Sequence, residues 1–204
     1  MKAERKQLSM DSLISGAREE FSRIKDTRPK SQYKLPDCLL SGLGMFYLKM
    51  ESMLQFVNGT KNNALCQNLM KLYGVESVPS DTHFRVRLDD VDPSRMQYVY
   101  DGIISRMQRG KVLEDFKYYE DYYLVALDAT GYFSSDKVHC DNCCIKEHKD
   151  GRLSYYHQVL SAVLVCPGIK QCLPLAIEPI IKQDGTVKND CERNAARRLL
   201  DTLR

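Results

Sequence analysis

No stretch of this chain stays apolar long enough to cross a bilayer. The most apolar early run, Leu39 to Leu48, is cut off by Lys49 and Glu51, well short of the roughly 20 residues a spanning helix needs. A large charge imbalance is missing too: 30 Lys and Arg stand against 27 Asp and Glu, a net charge of +3. That excludes a histone-like polycation and leaves any basic face to the placement of charge. Cysteine is sparse. Eight in 204 residues, lying singly or in the one tight group Cys140, Cys143 and Cys144, fall well below the density of a disulfide scaffold. The opening MKAERKQLSMDS has charges where a signal peptide would place its apolar core. A cytoplasmic protein with reduced thiols and no membrane partner is therefore expected. Internal repeats and low-complexity tracts are absent as well.

What is present is ordinary globular material. Apolar residues make up 43% and charged residues 28%, enough for a packed core in one large or two small domains. The pattern divides the chain. Residues 11–24 carry Leu13, Ile14, Ala17, Phe21 and Ile24 at helical spacing, and a polar, basic arm with two prolines follows. Pro36 opens a helix expected to run to about Val57 and to be buried on more than one face. Asn62 to Tyr73 is another helix, with Gly74 at its C-terminal cap position. Ser80 caps a short helix over DTHFRVRL, and Asp92-Pro93 opens a helix that Gly110 stops.

Strand patterns follow. Tyr122 to Leu127 is a continuous apolar run, as in a central strand. Residues 155–165 and 172–180, separated by Pro167 and Gly168, suit an antiparallel pair. The last segment is an amphipathic helix with Ala195, Ala196, Leu199, Leu200 and Leu203 toward the sheet. Asn189 and Glu192 are spaced as a capping box before it. The expected class is α+β, in three parts: a basic N-terminal helix and arm (1–35), a helical domain (36–116) and a β-β-β-α unit (117–204).

In LVALDATGYFSS, Asp128 follows four apolar residues and precedes Ala-Thr-Gly. A buried carboxylate there needs a partner or a cation, and a hard oxygen ligand at a strand end suits Mg²⁺. The other reading is an aspartate capping a turn through Gly131.

The segments 124–135, HCDNCC (139–144), YYHQVLSAVLV (155–165), LPLAIEPI (173–180) and KNDCERNAARRLL (188–200) together resemble the DDE transposases of bacterial insertion sequences. The resemblance extends upstream through VPSDTHFRVRLDDVDP (78–93). It implies a ribonuclease-H-like catalytic domain preceded by a helical DNA-binding domain. It also implies metal-dependent DNA strand nicking and transfer with Mg²⁺ or Mn²⁺, in which two ions held by three carboxylates act on the scissile phosphate. Asp128 stands at the family's first catalytic position. The second aspartate and the glutamate of that family lie beyond the first helix of the fold, and neither is found before Arg204. Glu178, between Ile177 and Pro179, and Glu192, in the helix cap, are not assigned their roles. The expectation is a truncated transposase, inert alone and poorly soluble. The alternative is a non-catalytic DNA-binding remnant that occupies element ends or inhibits full-length transposase. Expected partners are the terminal repeats of the element and a second copy or full-length enzyme.

Cys140 and Cys143 have the C-x2-C spacing of half a zinc site. His139, Cys144, His148 and His157 are candidates to complete it, with His148 the preferred third ligand. The competing reading is a loop of free thiols, with His157 a hydrogen-bonded core histidine. For DNA, the helices 62–73 and 81–88 have the order of a helix-turn-helix, with His83, Arg85 and Arg87 on the second. Its connection, Gly74 to Ser80, is longer than usual. Arg85 and Arg87, two apart, cannot share a helical face, so a solvated charged helix is the other reading. Lys30 and Lys34 of the arm are candidate phosphate contacts.

Overall fold

The computed structural model describes residues 6–182 and 189–203. The chain divides into two compact units, 1–110 and 111–204.

The first unit is helical: α1 (Met10–Arg23), α2 (Leu35–Tyr47), α3 (Met53–Thr60), α4 (Asn63–Tyr73), α5 (Asp81–Asp89) and α6 (Gln97–Arg109). Ser9, Ser52, Asn62 and Ser80 cap α1, α3, α4 and α5 by accepting backbone N–H groups, which satisfies donors the first turn leaves open. Gly74 ends α4 in the left-handed conformation at φ 65°, where a side chain would be strained.

The long helix expected from Pro36 to Val57 is two helices. Lys49 adopts φ 53°, and Ser52 then starts α3 by accepting the Gln55 N–H at 3.1 Å. Apolar periodicity ran straight through this break because both helices face the same core. That core contains Ile14, Ala17 and Phe21 of α1 beside Leu40, Phe56, Leu69 and Tyr73. Ile24 and Leu35, on either side of the basic segment, lie in the same core. Phe56 and Phe84 are fully buried, with ring centroids 6.5 Å apart; each contributes about 1.5–3 kcal/mol by burial.

The second unit holds β1 (Lys117–Tyr119), β2 (Tyr122–Ser135), β3 (Cys144–Glu147), β4 (Leu153–Val165), β5 (Leu173–Ile180) and α7 (Glu192–Thr202). It is a mixed unit of helix and antiparallel sheet. β4 is central: β2 pairs along one side of it, and β3 and β5 pair along the two ends of the other. α7 packs on β4 and β5, burying Leu160, Ala162, Ala176 and Ile180 against Ala195 and Leu199. Leu200, expected to face the sheet, is 48% exposed.

Two local expectations change here. β2 does not end at Asp128: the pairing continues to Ser135, with an irregularity between Gly131 and Phe133 that leaves Tyr132 as the extra residue. Cross-strand pairing with β4 overrides the turn preference of Asp-Ala-Thr-Gly. Asn189 does not cap α7, whose N-cap is Cys191. Its side chain instead bridges β3, accepting from the Ile145 N–H at 2.9 Å and donating to the Ile145 carbonyl at 2.6 Å. Among the described residues no helix is long and apolar enough to cross a membrane.

Candidate metal centre and the placement of the other site residues

Register fixes which side chains share a sheet face. Leu160, Ala162 and Leu164 of β4 are buried, and alternation turns Tyr155, His157, Val159 and Ser161 to the other face. Asp128 pairs with Ser161 and Phe133 pairs with His157. Asp128 and His157 thus stand on one face, opposite α7.

At one end of that face lies the cysteine turn. The Cys143 N–H donates to the Cys140 carbonyl at 3.1 Å, closing the turn, and the Cys140 N–H donates to Cys143 Sγ at 3.3 Å. Both sulfurs then meet His157: Nε2 lies 3.4 Å from Cys140 Sγ and 3.3 Å from Cys143 Sγ, and the sulfurs are 3.7 Å apart. Among the described residues these three form the only group of His, Cys, Asp or Glu placed to hold a metal ion. Cys140 is exposed and Cys143 is buried. Burial pushes the Cys143 thiol above its ordinary pKa, because a thiolate without a cation loses its hydration there. Tyr132 stacks on the His157 ring at 5.7 Å and Phe133 tilts against it at 5.7 Å, so the bulge in β2 fixes the imidazole plane.

The third member is His157 and not His148. The Ser154 hydroxyl donates to Asp136 at 2.6 Å, and His148 Nε2 sits 2.8 Å from the same oxygen. A hydroxyl has one proton to give. His148 Nε2 must therefore donate to Ser154, and His148 is not a member of the group. His139 stacks on Tyr155 with centroids 4.1 Å apart, and the Cys144 thiol donates to the Ile180 carbonyl inside the core.

Asp128 is exposed, and its Oδ1 accepts the N–H of Ala129 at 3.0 Å. Among the described residues Asp128 belongs to no group of three or more His, Cys, Asp or Glu placed to hold a metal ion, so the Mg²⁺ expected there gains no support. Glu178 pairs with Leu160 and so lies on the α7 face, where Arg198 holds it together with Asp190. It is on the wrong side of the sheet to join Asp128.

The candidate DNA contacts separate into two groups. Arg87 is 3% exposed, and its two terminal nitrogens bind Asp26 at 2.8 and 2.7 Å. It is a structural ion pair, so Arg87 is not exposed for the DNA contact expected of it on the second helix of the pair. The pair holds Asp26 below the usual carboxylate range, chiefly through the Arg87 hydrogen bonds. Thr27 and Arg28 bind Asp90 at 3.0 and 2.7 Å, so the basic arm is fastened across the end of α5. Arg85, His83 and Lys30 are exposed. Lys34 is exposed and pairs with Glu76 at 2.9 Å. The α4–α5 connection spans residues 74–80, as the spacing predicted.

No protein-family model, curated protein or solved structure matches the chain.

Proposed function

We propose that the chain serves DNA transposition as part of a DDE-type transposase, binding the ends of its element and not cutting DNA by itself. The observation that carries this reading is the order and packing of the second unit. An antiparallel β2–β4–β5 meander is followed by α7 on one face, with Asp128 of β2 on the other. This order supports a ribonuclease-H-like reading, in which Asp128 would take the family's first metal-binding position. A single carboxylate provides one of the ligands that two-metal phosphodiester chemistry requires, so strand cleavage is not assigned to these residues alone.

The alternative, a DNA-binding remnant that blocks full-length transposase, draws on one further feature. β2 is bordered by β4 along its length and by β1 only near its start. Among the described residues the rest of that edge is free to pair with another chain. The test is to incubate the purified protein with end-labelled DNA that flanks its coding sequence, with Mg²⁺ or Mn²⁺. A shifted band without a nick is expected. A metal-dependent nick abolished by Asp128→Asn would make the chain an enzyme in its own right. Absence of both the shift and the nick would contradict a role in transposition.

A further inference from the structure

The geometry points to a Zn²⁺ site at Cys140, Cys143 and His157, with its fourth coordination position open to solvent. It stands apart from the transposition reading and holds whether or not the chain binds DNA.

Separation of the ligand atoms carries the inference first. With Zn–S near 2.3 Å and Zn–N near 2.0–2.1 Å, tetrahedral angles place two sulfurs about 3.8 Å apart and sulfur and nitrogen about 3.6 Å apart. The protein holds them at 3.7 Å for the sulfurs and at 3.4 and 3.3 Å for the two sulfur–nitrogen pairs. Three atoms thus already occupy the corners of one tetrahedral face. A bonded disulfide would bring the sulfurs to about 2.0 Å, and both cysteines are free.

Ligand chemistry then selects the ion. Thiolates and imidazole suit Zn²⁺, whereas Mg²⁺ and Ca²⁺ take oxygen ligands. The backbone N–H of Cys140 donates to Cys143 Sγ, which supports the thiolate a metal needs. Rigidity is supplied from elsewhere. The Ser135 hydroxyl accepts the N–H groups of Lys137 and Val138 at 3.1 and 2.9 Å, steering the loop after β2. The bulged Tyr132 stacks on His157.

No fourth His, Cys, Asp or Glu belongs to the group among the described residues, and Cys140 is exposed. Solvent therefore completes the shell. Ligation would join the loop carrying Cys140 and Cys143 to β4 at His157, a link between segments 14 residues or more apart in the chain. A metal bound to the folded form alone adds directly to its stability.

The test is metal analysis of the intact chain purified without chelator, followed by Co²⁺ titration of the metal-free form. One zinc per chain is expected, with Co²⁺ giving the intense visible bands of a tetrahedral thiolate site. Cys140→Ser and His157→Asn should each lose both signals, while His148→Asn and Cys172→Ser keep them. Cys140 is exposed, so its variant should fold, and unchanged far-UV circular dichroism would confirm that. His139→Ala should leave the cobalt bands unchanged; their loss would overturn the open fourth position. Substoichiometric zinc, weak octahedral cobalt bands, or a Cys140–Cys143 disulfide in the mass spectrum of the native protein would overturn the site.

Discussion

The helical unit and the sheet unit differ in how their charges and strand faces are placed, although both leave large apolar side chains in solvent, Phe46 and Leu72 of the first at 75% and 55%. The first takes charge into its interior and satisfies it: Arg87 closes on Asp26, and Arg18 reaches the buried Asp37 at 2.8 Å while donating to the Gly74 carbonyl at 2.6 Å. The second exposes the apolar run of a single strand. Leu124, Val125 and Leu127 of β2 are 41%, 38% and 39% exposed, although their unbroken run has the pattern of a strand covered on both faces. Six helices can close a core around one another, whereas a sheet whose single helix lies over β4 and β5 covers only those strands. The difference also locates the chemistry. Asp128, Cys140, Cys143 and His157 all belong to the sheet unit, on the face that α7 does not occupy.

Breaking the buried ion pair should have the largest effect. Arg87→Ala strands a carboxylate and should cost the helical unit about 3–5 kcal/mol, read as a lower urea midpoint by far-UV circular dichroism. Arg85→Ala, two residues away on the exposed face, should shift stability by no more than about 0.5 kcal/mol. Equal losses for the two would refute the inward and outward assignment of α5.

In the sheet unit, Leu199→Ala empties a fully buried site and should cost about 2–5 kcal/mol. Leu200→Ala, at a half-exposed position, should be close to neutral. A reversal of that order would mean that α7 is rotated on the sheet.

Acid should act on the helical unit through Asp26. Its folded pKa is depressed, so its contribution to stability is full above the unfolded value of about 3.9 and is lost as pH falls through the lower folded value. Unfolding free energy of the whole chain, followed between neutral pH and pH 3, should therefore drop at the acid end. Asp26→Asn should flatten that part of the drop. An unchanged slope in the variant would show that other carboxylates set the acid limit.

Least disruptive of all should be Leu127→Lys on β2. It replaces an already exposed side chain and should leave the thermal midpoint nearly unchanged while reducing aggregation in light scattering. A large fall in the midpoint would mean that β2 is covered in solution.

The sequence-legible part of the molecule is the part set by local chemistry. Caps at Ser80 and Gly74, the strand beginning at Tyr122 and the strands on either side of Pro167 and Gly168 all follow from short-range patterns. Lys49 was not legible as a break because its neighbours on both sides serve one core. Half of the metal centre, Cys140 and Cys143, was visible as a spacing. His157 was only one candidate among several and not the preferred one, since only the β2–β4 register brings it to the cysteine turn. The alternation in YYHQVLSAVLV held the available signal: it separates His157 from the buried Leu160, Ala162 and Leu164. His148 lies nearer in sequence, but its Nε2 is held by Ser154 and it stands outside the group. Arg87 looked like a surface base because nothing local announces that Asp26, 61 residues earlier, will meet it.

Equilibrium binding of DNA that flanks the coding sequence tests the transposition reading most directly. It would be followed by fluorescence anisotropy across about 50 to 200 mM salt, the range over which phosphate contacts dominate the change in affinity. Binding tighter than to a shuffled duplex is expected, with log K falling linearly against log salt by about 0.9 per phosphate neutralised. Lys30→Glu combined with Arg85→Glu should weaken it. Absence of binding at the lowest salt, in a protein whose circular dichroism shows it folded, would contradict DNA as its partner.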